Sequence, residues 1–185
     1  MTEEELIRKA QAGNTAAFGQ LAQRYYPVVE RFAYQPGNSP NEIEDITQEV
    51  FIRVYRFLDQ FSKAKFSTWL YKITLNVTRD YSRKKSSDLR KVLKFKKEAQ
   101  EFIPGAEGQL LRNEEDQNLH LCLQKLNQKY RIPIILYYFH ERKYEEIAEI
   151  MGVSLSTVKT RLLRGKSLLK KALEELEEKE GQKNG

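Results

Sequence analysis

The sequence predicts an all-α protein of two small helical domains joined by a flexible linker, the C-terminal one a helix-turn-helix. Three observations carry this. Apolar residues recur three and four positions apart along almost the whole chain, the spacing of one helix face. The glycine-bearing two-residue turns that join antiparallel strands are missing. A length of 185 residues is long for one compact helical domain and comfortable for two small ones.

Residues 3–12 read as a short first helix that Gly13-Asn14 stops. A second helix is expected over residues 15–34, with Phe18, Leu21, Ala22, Tyr25, Val28, Val29 and Phe32 as its buried stripe. Pro36-Gly37-Asn38-Ser39-Pro40 breaks it, because proline fixes φ and glycine frees it. The third helix is expected to start at Asn41 as N-cap. Glu42, Glu44 and Asp45 then lie in its first turns, where carboxylates favour the positive end of the helix dipole. Ile43, Ile46, Val50, Phe51, Val54 and Leu58 form its apolar face. A fourth helix starts near Ser67. Ser86-Ser87, Pro104-Gly105 and Gly108 mark a weakly structured connection, although residues 89–99 also fit a basic helix. The helical pattern resumes near Asn113 and runs in four segments to about Glu178, before a polar tail expected to fray. The expected organisation is a first domain over residues 1–88, a linker over 89–112, a second domain over 113–178 and a tail over 179–185.

Charge is distributed in blocks. Residues 1–62 carry 6 bases and 9 acids, 63–97 carry 12 and 2, 98–128 carry 2 and 6, and 129–171 carry 10 and 4. The net charge of +6 favours a polyanionic partner without identifying one, and the bases fall in two blocks separated by an acidic spacer. The single cysteine, Cys122, excludes an internal disulfide and reads as a small apolar core residue. His120 and His140 have no Cys or His at ligand spacing, so no metal site and no cofactor are expected. The acidic opening Thr2-Glu3-Glu4-Glu5 is unlike a signal peptide, and no apolar run approaches the ~20 residues of a membrane span. A cytoplasmic location is expected.

Residues 144–166 fit a helix-turn-helix. Ala148 stands where two crossing helices approach closely, and Gly152 where the first helix must turn through positive φ. Val153 and Val158 point back to the core, and Ser154 caps the second helix. Ser156, Thr157, Lys159, Thr160, Arg161, Leu163 and Arg164 are left for its outer face. Such a face suits the major groove of DNA, whose base edges accept contacts from Lys, Arg, Ser and Thr. Lys166, Lys170 and Lys171 are placed to reach phosphates.

The fourth helix mixes rings and cations. Phe66, Trp69, Tyr71 and Tyr81 cannot all face one core, so some rings are expected at the surface, beside Lys72, Arg79, Arg83, Lys84 and Lys85. Rings beside cations suit single-stranded nucleic acid, where bases stack or insert while phosphates are neutralised. Thr68, Asn76 and Thr78 offer polar groups to exposed base edges. A core tryptophan beside a solvated basic edge fits these residues equally well.

At these residues the chain resembles the extracytoplasmic-function sigma factors, small subunits of bacterial RNA polymerase, over nearly its whole length. Asp45-Ile46-Thr47-Gln48-Glu49-Val50-Phe51-Ile52-Arg53-Val54-Tyr55 resembles the family's D-x-x-Q-E-x-F helix, and Phe66-Ser67-Thr68-Trp69-Leu70 its F-x-T-W-L segment. Thr157-Val158-Lys159-Thr160-Arg161 resembles the signature of its second domain. The resemblance implies that Asp45, Gln48, Glu49, Phe51, Ile52 and Arg53 bind core polymerase at the coiled coil of its largest subunit, with a further contact on the flap. It implies that Phe61, Lys63, Lys65, Phe66, Thr68, Trp69, Lys72, Asn76, Arg79 and Arg83 bind and melt the −10 element. It implies that Ser156, Thr157, Lys159, Thr160, Arg161, Leu163 and Arg164 bind the −35 element. The linker, with Arg90, Lys91, Lys94, Lys96 and Lys97, would thread near the active-site and RNA-exit channels. The family implies promoter DNA as target, an anti-sigma factor, often membrane-anchored, as regulator, and neither catalysis nor a small-molecule substrate.

Two other classes are weighed against this. A conventional helix-turn-helix regulator needs a sensing domain, and the strand-helix alternation of a receiver is absent. A nucleic-acid-processing enzyme needs carboxylates beside His or Lys at the spacing of phosphoryl transfer, and none is found.

Overall fold

The computed structural model describes residues 1–62, 64–93 and 114–185. The described residues are helical, without strands, and fall into two compact units.

The N-terminal unit begins with α1 (Glu3–Gln11), closed by a reciprocal pair: the Thr2 hydroxyl accepts from the Glu5 amide and the Glu5 carboxylate from the Thr2 amide. α2 (Thr15–Tyr34) packs on α1. Leu21, Val29 and Phe32 of its expected stripe are buried, while Phe18, Ala22, Tyr25 and Val28 are half-buried. α3 (Pro40–Phe57) is capped by Ser39, not by Asn41 as expected. Pro40 occupies the first helical position, where its missing N–H costs nothing, and the Glu42 carboxylate accepts from the Ser39 amide at 2.7 Å.

A single 3₁₀ turn (Leu58–Gln60) leads towards α4 (Phe66–Leu93). The α1 side chain Gln11 donates to the carbonyls of Leu58 at 2.9 Å and Phe61 at 2.8 Å, tying down the chain that carries Phe61. α4 packs on α2 and α3, and Leu70, Leu75 and Val77 join Ile46, Val50 and Val54 in the core. The helix does not end at Ser86-Ser87 but continues to Leu93. Serine lowers helix propensity only slightly, and the flanking Leu, Arg and Lys are good helix formers. The expected linker residues Arg90 and Lys91 therefore belong to α4, whereas Lys94, Lys96 and Lys97 lie outside the described residues.

The C-terminal unit is built around α8 (Leu155–Lys183), which packs against α5 (Glu114–Lys125), α6 (Gln128–Ile134) and α7 (Tyr144–Met151). Cys122 is buried in this unit, as are Ile132, Ile135, Ile147, Ile150 and Val158. Arg131 closes the end of α5: its guanidinium donates to the carbonyls of Leu123, Gln124 and Leu126 at 2.8, 2.7 and 2.6 Å. Those carbonyls lie at the negative end of the α5 dipole, where a cation is favoured. A π-helical segment (Ile135–Phe139) follows α6. α8 runs on through residues 179–183, where fraying was expected. The Lys170–Glu174 pair, and the Glu175/Lys179 spacing in the sequence, supply i,i+4 attraction along its outer turns.

Candidate nucleic-acid and protein interfaces

One stripe of accessible side chains runs along α4. Trp69, Lys72, Asn76, Arg79 and Arg83 stand three and four residues apart and are exposed or half-exposed, while Leu70, Tyr71, Thr74, Leu75, Val77 and Thr78 are buried. Trp69 heads the stripe, its ring 5.1 Å from Phe61 and 5.8 Å from Phe66 between centroids. Phe66 is the buried member of this cluster, and it also meets Phe61 at 5.5 Å and Tyr25 at 5.2 Å. Such tilted and edge-on ring pairs hold Trp69 in place while leaving part of its surface to solvent.

Three of the residues expected to meet nucleic acid are buried in this fold. Thr68 is 2% exposed and Phe66 3%, so neither presents its side chain to a nucleic acid in this fold. Thr78 is likewise buried, and its hydroxyl donates to the Thr74 carbonyl at 2.9 Å. α4 packs against both α2 and α3, so more than one of its sides is covered. Lys65 is exposed beside the stripe, and Lys63 lies outside the described residues.

On α3, Asp45, Gln48 and Ile52 are exposed and Glu49, Phe51 and Arg53 half-buried. The outer face continues into an apolar cleft lined by Phe18, Tyr26, Phe51, Ile52 and Tyr55. Ile52 is 52% exposed and Tyr55 56%, and the Tyr26 and Phe51 rings stack 6.0 Å apart. Burial, with help from the Glu30 and Glu44 charges, pushes the Tyr26 hydroxyl above the usual tyrosine value. Arg53 is committed within the unit: it pairs with Glu49 at 2.8 Å and crosses to Asp80 of α4 at 3.0 Å. Lys85 of α4 similarly reaches Glu42 at 2.9 Å.

The C-terminal unit presents α8. Gly152 ends α7 at φ 67°, and the Ser154 side chain accepts from the Thr157 amide at 3.2 Å to start α8. The Ser154 hydroxyl also lies 3.1 Å from that of Ser156 and 2.8 Å from that of Thr157, so these two belong to the cap as well as to the outer face. Ser156, Thr157, Thr160, Arg161 and Arg164 line a cleft of about 280 Å³. Lys159 and Leu163 are exposed beside it, Leu163 at 73%. Lys129 and Tyr130 of α6 complete the cleft, and sequence reasoning missed both. The signal lay in Gly165, whose small size admits α6 against α8. The hydrogen bond from Arg164 and the nearby cations outweigh burial and hold the Tyr130 hydroxyl below the usual tyrosine value. Among the described residues there is no cluster of His, Cys, Asp and Glu that could hold a metal ion.

Two sigma-factor domain models match the chain: Sigma-70 region 2 over residues 21–87 and Sigma-70 region 4 over residues 116–169. The ECF RNA polymerase sigma factor SigW of Bacillus subtilis is 34% identical, over 95% of this chain and 99% of its own. The chain belongs to the ECF family of RNA polymerase sigma factors. The ECF RNA polymerase sigma-E factor of Escherichia coli K12 is 31% identical over 91% of this chain and 93% of its own. CnrH, solved in complex with the cytosolic domain of CnrY, matches with a TM-score of 0.69 and 26% identity, over 91% of this chain and 95% of that one. The sigma factor RpoE of Bartonella quintana, solved with the anti-sigma factor NepR, has a TM-score of 0.70 at 23% identity, a likeness of fold alone, over 85% of this chain and 96% of that one. As an ECF sigma factor the protein directs promoter-specific transcription initiation, and its class is regulatory DNA recognition.

Proposed function

We propose that the two units divide promoter recognition. The outer face of α3, with Asp45, Gln48, Glu49, Phe51 and Ile52, binds core RNA polymerase at the coiled coil of its largest subunit, and the second unit docks on the flap. Phe61 and the α4 stripe from Trp69 to Arg83 open the −10 element and hold its single strand. α8 enters the major groove of the −35 element, with Lys159, Thr160, Arg161, Leu163 and Arg164 towards the bases. The −10 unit extends over residues 1–88 and the −35 unit over 113–178. The protein itself catalyses nothing and acts in the cytoplasm.

The α4 stripe carries this reading. A half-exposed tryptophan, held by two phenylalanines and followed in register by Lys72, Asn76, Arg79 and Arg83, offers a base-sized apolar contact, a polar edge and cations for phosphates on one face. The apolar cleft between α2 and α3 supports a protein partner on the same unit, and the exposed Ile52 and Tyr55 fit a hydrophobic anchor. An anti-sigma factor covering that cleft excludes polymerase by occupying its binding face. Neither promoter contact needs to be tight alone, since polymerase holds both units on one DNA and makes the second contact intramolecular.

The test is run-off transcription with bacterial core polymerase on a pool of promoter fragments, with and without the protein. Discrete new transcripts are expected. Their absence, together with failure to co-elute with core, overturns the reading.

A further inference from the structure

We propose that Gln11, the last residue of α1, is a positioning residue for opening of the −10 element: its side-chain amide holds the turn before Phe61, so that the Phe61 ring stands against Trp69 before a strand arrives. The proposal rests on Phe61 and the α4 stripe being the −10 surface.

The arrangement starts from a weakly held piece of chain. The 3₁₀ turn Leu58–Gln60 is closed by a bond from the Phe61 amide to the Leu58 carbonyl at 3.2 Å. A lone 3₁₀ turn has poor hydrogen-bond geometry and little of its own to hold it. Leu58 is buried and anchors the start of the turn, but Phe61 is half-exposed, and Ser62, Ala64 and Lys65 beyond it are exposed. Gln11 supplies what the turn lacks. Its Nε2 donates to the Leu58 carbonyl at 2.9 Å and to the Phe61 carbonyl at 2.8 Å, bonds that span 47 and 50 positions of sequence. A side-chain amide carries two N–H donors, one for each carbonyl, and because both partners only accept, the nitrogen is the end that fits. One side chain thus fixes the first residue of the turn and the residue that follows it.

The consequence passes through Phe61. Its ring lies 5.1 Å from Trp69 and 5.5 Å from the buried Phe66 between centroids. Phe66 and Trp69 are carried by α4, whereas Phe61 precedes that helix, so its place depends on the turn. Taking a base out of the stack costs free energy, and stacking on a protein ring returns some of it. A loose ring would return less, because ordering it at the moment of capture costs conformational entropy. Gln11 meets that ordering cost during folding, and the Phe61–Trp69 pair receives a base as a rigid surface. α1 contributes no residue to the α4 stripe, so the effect of Gln11 on opening acts through Phe61.

The experiment uses the full chain, alone and with core polymerase, comparing wild type with Gln11→Met, Gln11→Lys, Phe61→Ala and the combination of Gln11→Met with Phe61→Ala. Methionine keeps the length of the side chain without a donor, and lysine restores donors for two carbonyls. Trp69 is the only tryptophan of the chain, so its fluorescence reports on this site directly. Gln11→Met is expected to lower open-complex formation about threefold to tenfold, read by permanganate footprinting, as the loss of one or two hydrogen bonds allows. In the free chain it should make Trp69 more accessible to acrylamide quenching, while binding to a duplex −35 probe stays at wild type. Gln11→Lys should recover both readouts, and Gln11→Met should add nothing to Phe61→Ala. Normal opening by Gln11→Met overturns the proposal and leaves the −10 reading intact. A loss of opening with unchanged Trp69 quenching, or one that adds in full to that of Phe61→Ala, places the action of Gln11 elsewhere and also overturns it. If Phe61→Ala and Trp69→Ala both open the promoter normally, the −10 reading falls and this inference with it. Gln11→Asn, one methylene too short to span both carbonyls, is the second variant and must lose opening in the same way; wild-type opening by it overturns the proposal even if Gln11→Met fails to fold.

Discussion

Trp69 joins a place in the packing to its proposed role in melting. Its ring rests on Phe61 and Phe66 while part of its surface remains open. Trp69→Ala removes both the ring contacts and the surface offered to a base. A fully buried tryptophan truncation costs ~3–5 kcal/mol, and half-exposure brings the expected loss of stability to about 1–3 kcal/mol, measurable by chemical denaturation. Open-complex formation should fall about tenfold or more, while binding to a duplex −35 probe stays close to wild type; permanganate footprinting and gel shift separate the two. Normal opening would remove Trp69 from the melting site. Gln11 stands behind this arrangement, since its two hydrogen bonds fix the turn that delivers Phe61. Nothing in the sequence marks it, because a glutamine on a short surface helix has no pattern.

Single helix ends decide where the recognition surfaces point. Gly152 adopts φ 67°, and a Cβ there would meet nothing within 4 Å, so the cost of a side chain is backbone strain alone. Gly152→Ala is expected to destabilise the C-terminal unit by about 1–2 kcal/mol, the penalty of the left-handed conformation for an L-residue. Thermal melting reads this directly, and an unchanged midpoint would show that α7 can end another way.

The start of α3 responds to acid. Burial alone would raise the Glu42 pKa, but the Lys85 hydrogen bond and the Ser39 amide and hydroxyl outweigh it and hold the carboxyl below its ordinary 4.5. Because the folded pKa is depressed, its contribution is present above pH 4.5 and is lost as pH falls through the folded value. Glu42→Gln should therefore flatten the acid limb of the stability curve; a variant with an unaltered acid limb would show that other carboxylates control it.

At the scale of the whole molecule, the two basic blocks correspond to two separate cationic surfaces, the ones proposed above to meet DNA. The first centres on the α4 stripe, and the second on the cleft where α6 meets α8. Phosphate neutralisation makes binding fall with salt in proportion to the contacts made. Lys72→Gln combined with Arg83→Gln should reduce the slope of log affinity against log salt by roughly 1–2, with sequence preference unchanged. A slope equal to wild type would move the phosphate path away from α4. Among the described residues no helix is long and apolar enough to cross a membrane.

The sequence by itself determined the helical class, the α2 bounds and the helix-turn-helix. Each depends on local chemistry: apolar spacing, a glycine at positive φ and a serine cap. It also contained the cations and rings of α4 in order. The tertiary structure decided which of them face outward. Periodicity assigns faces when a helix has one covered side, but α4 is covered by α2 and α3 together, and the burial of Phe66, Thr68 and Thr78 follows from that packing. It decided, too, that Lys129 and Tyr130 join Arg164. Those residues are separated by more than thirty positions in the chain, and they meet because Gly165 has no side chain to keep α6 away.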